Sequence, residues 1–129
     1  MTERKGTTRR RRRESGQVAI EYLGFIPLLL LVALLAIQLG VAAYTANQAG
    51  TAARAAARTA SQDALDQELL PETAGRRAIS EWLSDDLDLA HSSGTRDITY
   101  TATIEVPSVV PGMEGLWGAA KRSSTMPLD

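Results

Sequence analysis

Polar and apolar positions divide this chain into stretches of different rhythm. Residues 1–15, "MTERKGTTRRRRRES", are polar and charged with no apolar periodicity, which predicts a basic tail without regular structure. From Tyr22 to Ala53, thirty-two residues pass without a formal charge. The most apolar part, residues 23–43, would measure about 31 Å as a helix, the thickness of a bilayer's hydrocarbon core. It exceeds the roughly 7–15 apolar residues of a cleaved secretory signal, so it predicts a transmembrane helix. The alanine-rich stretch 45–70 should continue that helix. Ala49, Ala53, Ala56, Ala60 and Ala64 recur at three- and four-residue steps and form one face of small side chains. That face is read as helix-propensity filling or as a surface for close helix–helix packing. One helix from about Val18 to Gln67 is expected, weakened at Gly40 and Gly50 and kinked at Pro27.

Beyond it, Pro71 and Gly75 predict a break. Ile79, Trp82, Leu83 and Leu87 then mark an apolar helical face, with Glu81, Asp85, Asp86 and Asp88 mostly elsewhere. "HSSGTRD" reads as a loop. "ITYTATIEV", residues 98–106, alternates apolar and polar positions and is the clearest strand signal. The Pro- and Gly-rich stretch 107–121 predicts at most a short turn. "SSTMPL" is expected to return as a second strand, with Pro127 holding it to an edge or an end. A two-stranded ribbon is marginal alone, so it must lean on the 79–87 helix or on a neighbouring molecule. The predicted class is α+β, with one long N-terminal helix followed by a head of one small helix and a β-hairpin. Four regions follow: a basic leader at 1–16, a transmembrane helix at 17–44, its extension at 45–70 and the head at 71–129.

Charge adds a direction. Ahead of Gly16 stand seven basic and two acidic residues, and after it seven basic and thirteen acidic. The block Arg9, Arg10, Arg11, Arg12 and Arg13 beside an apolar run is a positive-inside signal, placing the N-terminus in the cytoplasm and the head outside. Contact with anionic lipid would reinforce it. Without a folded cytoplasmic module, a nucleic-acid arm is disfavoured.

Candidate chemistry is sparse. The chain has no cysteine and one histidine, which excludes disulfides, thiolate catalysis and multi-histidine zinc sites. His91, Ser92 and Asp97 could be imagined as a triad, yet no nucleophile elbow or oxyanion loop accompanies them. His91 reads as a solvated residue, Asp85, Asp86 and Asp88 as a solvated face without EF-hand spacing, and Trp82 and Trp117 as core or sheet-packing residues. No cofactor is implied.

The junction between leader and helix carries the specific signal. Ser15 and Gly16 end the leader, Gln17 to Ile20 form a four-residue spacer, and Glu21 and Tyr22 open the apolar run. This resembles a type IV prepilin processing site. The longer string "EYLGFIPLLLLVALLAIQLG", with Pro27 after the Glu-aromatic pair and a leucine run behind it, resembles the TadE-like minor pilins or pseudopilins of the Tad (Flp) system. Gln38, Leu39 and Gly40 depart from that family's acidic-aromatic-glycine step.

The resemblance implies a pilin-like structural protein rather than an enzyme. A prepilin peptidase would cut between Gly16 and Gln17 on the cytoplasmic side. Further implied partners are membrane lipid, other Tad/Flp pilins and inner-membrane assembly-platform proteins, with no nucleic acid. The location would be the cell membrane as a single-pass protein, or an extracellular pilus. Glu21 would neutralise the new ammonium at Gln17, of a neighbouring subunit or of its own chain, and so set register. The alternative is an uncleaved, membrane-anchored binding module with an outer domain. A small cell-surface hydrolase is the remaining and least supported class.

Overall fold

The computed structural model describes residues 8–62 and 69–128, without the side chains of residues 8–14. Helix α1 spans Thr8–Ala60, α2 spans Pro71–Arg77 and α3 spans Glu81–Ser84. Strands β1 (Leu87–Ser93), β2 (Asp97–Glu105) and β3 (Ala119–Pro127) follow. The class is α+β, with one long N-terminal helix, two short helices and a three-stranded antiparallel sheet.

The arginine block, expected to lack regular structure, lies in the first turns of α1. The helix continues through Pro27, Gly40 and Gly50. It ends earlier than the expected Gln67. Ser61 N–H still reaches the Ala57 carbonyl at 3.0 Å, but Gln62 N–H bonds to Thr59 at 3.2 Å, a tightened last turn. Ser61 Oγ also donates to the Arg58 carbonyl at 2.8 Å, offering the backbone a non-helical alternative. The expected extension over 63–68, including Ala64, lies outside the described residues.

The chain divides into two compact units, residues Met1–Ala36 and Ile37–Asp129. In the first, the described side chains are exposed apart from a half-buried Leu34. A helix within Ser15–Ala60 is long and apolar enough to cross a membrane.

In the second unit the alanine stripe has a different partner from the one expected. Ala49, Ala52, Ala53, Ala56 and Ala57 are all fully buried. Ala49, Ala52 and Ala53 cluster with Ile79, Leu83, Leu87, Ala102 and Ile104. Ala56 and Ala57 cluster with Ile98 and Tyr100. The small side chains therefore form the floor on which the chain's own sheet rests. The sheet needs such a floor, because a few strands with one apolar face are stable only when that face is covered.

Pro71, expected to break a helix, starts α2, where its missing N–H is harmless. Gly75 is buried inside α2 rather than ending it. A Cβ there would sit 2.8 Å from Leu89 Cδ1 and 3.1 Å from the Ala52 carbonyl oxygen, so any larger side chain would press on Leu89 and on the α1 backbone. The expected 79–87 helix shrinks to four residues, and Leu87 instead opens β1.

The hairpin grows to three strands in the order β1-β2-β3. β2 is central and alternates as expected, with Ile98, Tyr100, Ala102 and Ile104 buried. The segment expected as a loop is largely strand. His91, Ser92 and Ser93 pair with Tyr100, Thr99 and Ile98, and only the turn at Gly94 to Arg96 remains. β3 is longer than expected and places Pro127 at its end on an edge strand, as its missing donor requires.

Trp82 is 56% exposed rather than part of the core. It stacks on Tyr44 with ring centroids 5.9 Å apart and an interplanar angle of 3°. Trp117 is half-buried, and its Nε1 donates to Ser108 Oγ at 3.1 Å.

Candidate functional site

Helical spacing brings Val18, Glu21, Tyr22, Phe25, Ile26 and Leu29 onto one strip of α1. Five of these six are apolar or aromatic, and Glu21 is the only charge among them. Every residue of the strip is exposed. Tyr22 and Phe25 present 68% and 57% of their surface. Among the described residues Glu21 has no hydrogen-bond or ion-pair partner. A carboxylate set in an apolar strip is costly once lipid or protein covers it, unless a cation arrives with the cover. Chemically the strip can take an apolar helix that carries a positive group at the level of Glu21.

Gly16 and Gln17 lie about one turn before Glu21 on the same helix, both exposed. Nothing within 4 Å would meet a Cβ at Gly16, so packing does not require glycine there. Pro27 is exposed within the helix. The side chains of Arg9, Arg10, Arg11, Arg12 and Arg13 lie outside the described ones.

The acid–base groups of the head do not converge. His91 is exposed on β1 and faces Tyr100, with rings 5.5 Å apart. In the strand register Ser92 pairs with Thr99 and Asp97 with Pro127, so no triad forms from His91, Ser92 and Asp97. Among the described residues, no group of three acidic or histidine side chains could hold a metal. In the head, Tyr100 has a displaced pKa. Burial raises it above the ordinary value, helped by the negative charge of Glu72 and a 3.2 Å hydrogen bond to that carboxylate.

A second polar feature on α1 escaped the sequence reading. Gln38 is 1% exposed. Its Nε2 donates to the Pro107 carbonyl at 3.0 Å, and its Oε1 accepts from the Val109 N–H at 2.8 Å. The available signal was that Gln38 is the single polar side chain in the run 23–43, where an amide must find partners. Farther along the helix, Gln48 Oε1 accepts from the Ser80 N–H at 3.1 Å, and the Tyr44 hydroxyl bonds to Ser80 Oγ.

Among known proteins, no curated sequence and no solved structure matches this chain. One family model does, described as TadE-like protein, over residues 16–58. The match starts at Gly16, takes in the Glu21 strip and Gln38, and ends within the alanine stripe. It suggests a component associated with the Tad pilus, of structural rather than catalytic kind, and agrees with membrane anchoring through the apolar helix. Over residues 16–58, a third of its length, this chain is similar to the TadE-like family.

Proposed function

We propose that this protein is a minor pilin or pseudopilin of a Tad-type pilus apparatus. It is anchored by α1 with its N-terminus in the cytoplasm, trimmed after Gly16 by a prepilin peptidase, and assembled through the strip around Glu21. Its partners are the peptidase, other Tad/Flp pilins and assembly-platform proteins of the inner membrane. The observation that carries this reading is the Glu21 strip, an exposed apolar face with one unpartnered carboxylate inside the family-matched segment. Cleavage would create an ammonium at Gln17, the kind of cation the strip lacks. Pairing it with Glu21 of a neighbouring subunit would fix axial register, because a misplaced partner leaves a charge buried alone.

One observation favours the alternative, an uncleaved anchor bearing a binding domain. α1 is helical across the Gly16–Gln17 bond. A peptidase must open that backbone to reach the carbonyl. Glycine lowers the barrier, being about 1 kcal/mol poorer than alanine inside a helix.

Intact mass separates the two readings. The full chain is expressed with and without an active prepilin peptidase, beside a Gly16→Val variant. Loss of residues 1–16 that requires both the peptidase and Gly16 is the expected result. A full-length chain in every sample, while a known substrate is cut, selects the uncleaved anchor. In the same system Glu21→Ala should insert normally yet lower pilus yield, and undiminished piliation would remove Glu21 from register setting.

A further inference from the structure

Residues 106–118, which join β2 to β3, are built as a preformed loop fastened to α1. Gln38 holds the backbone of Pro107 and Val109. Inside the loop, Ser108 Oγ donates to the Val110 carbonyl at 2.9 Å and accepts from Trp117 Nε1. Val106 N–H reaches the Gly118 carbonyl at 3.1 Å and closes the base. Gly112 and Gly115 take φ of 78° and 79°, a conformation that L side chains avoid, and shape the tip. The outcome is a turn that holds Leu116 at 69% exposure between a half-buried Met113 and a half-buried Trp117.

A single exposed leucine is ordinary on an aqueous surface. Its attachment point makes this one different. Gln38 belongs to the uncharged apolar run, about 9 Å of helix rise before Tyr44. If hydrocarbon reached Tyr44, a loop fastened at Gln38 would stand deep in lipid with its Glu114 carboxylate and irregular backbone, which lipid does not tolerate. If hydrocarbon ended well before Gln38, Ile37 and Leu39, exposed at 55% and 69%, would face water.

We propose that loop 106–118 is a lipid-interface element. The hydrocarbon boundary lies close to Gln38, and Leu116 and Trp117 dip into the phospholipid interface there. Residues 17–37 then span about 31 Å, enough for the hydrocarbon core. Trp117 takes the interfacial position that tryptophan favours. Gln38 is a positioning residue, satisfying loop backbone groups that lipid could not. Glu114, exposed and accepting from the Gly112 N–H at 3.3 Å, stays among the headgroups. The Tyr44–Trp82 stack lies about 9 Å farther along the helix, at the outer headgroup edge.

The inference rests on α1 being a membrane anchor, and the test separates the two. The full chain is placed in phosphatidylcholine nanodiscs whose acyl chains are brominated near the headgroup. Trp82→Phe leaves Trp117 as the reporter, and Trp117→Phe leaves Trp82. A third protein carries both changes plus Phe25→Trp to report on α1. Trp117 is expected to be quenched about twofold more than Trp82, with the Phe25→Trp reporter also quenched. If that reporter is quenched while Trp117 is no more affected than Trp82, the loop does not touch lipid and the anchor stands. If it is unquenched, both readings fall.

Discussion

Tyr100 is almost withdrawn from solvent, at 3% exposure, and its hydroxyl donates to Glu72 Oε1. Burial and the neighbouring carboxylate both disfavour the phenolate, so its pKa is higher in the folded head than in the unfolded chain. The resulting contribution to stability is complete below the ordinary value of 10.0 and is lost as pH climbs through the raised one. The denaturation midpoint of the head should therefore fall on the alkaline side of pH 10, and Tyr100→Phe should make that fall shallower. Identical alkaline slopes for the two proteins would show that Tyr100 is not the group responsible. Glu21 was legible in the sequence because a formal charge at the edge of an apolar run is conspicuous. Gln38 was not. An amide carries no charge to flag it, and its partners are backbone groups that no side-chain pattern announces.

At the scale of elements, packing between α1 and the head decides stability. Ala53 is fully buried against the sheet, so Ala53→Leu has no room and should cost about 1–3 kcal/mol. Gly75→Ala should also lower the melting temperature. The Leu89 side chain could yield to a methyl group, but the Ala52 carbonyl belongs to a helix backbone and cannot easily move. Arg54→Ala, at an exposed position on the same helix, should stay within about 0.5 kcal/mol of the parent. Thermal melts of all three proteins test the stripe, and a fully stable Ala53→Leu protein would disprove tight packing there. Strand β2 could be read from the sequence because its two faces differ residue by residue. β1 could not, because only Leu87 is buried in it, Leu89 is half-buried, and its last three residues, His91 to Ser93, are exposed and polar and imitate a loop. The spacing of the alanines was visible too, but small side chains suit a neighbouring helix and a sheet equally well.

On the scale of the whole molecule, the second compact unit begins at Ile37, inside α1, rather than where the helix ends. Among the described residues, five of the twelve buried residues in its two core clusters lie on that helix. A chain starting at Ile37, kept in mild detergent because Ile37 and Leu39 are exposed, should retain the sheet and unfold cooperatively. A chain starting at Pro71 should not, since it keeps the strands and loses their floor. Circular dichroism and denaturant titration of the two pieces decide this, and cooperative unfolding of the shorter piece would show that the head stands without the helix.

The alanine floor also bears on entropy. Side chains such as Leu83 and Ile104 surrender rotamer freedom when the sheet docks, whereas alanine has none to surrender. On the helix side, ordering therefore involves only backbone that α1 has already fixed. A head with few large apolar residues can thus be held by contacts that carry almost no configurational penalty on one of their two faces.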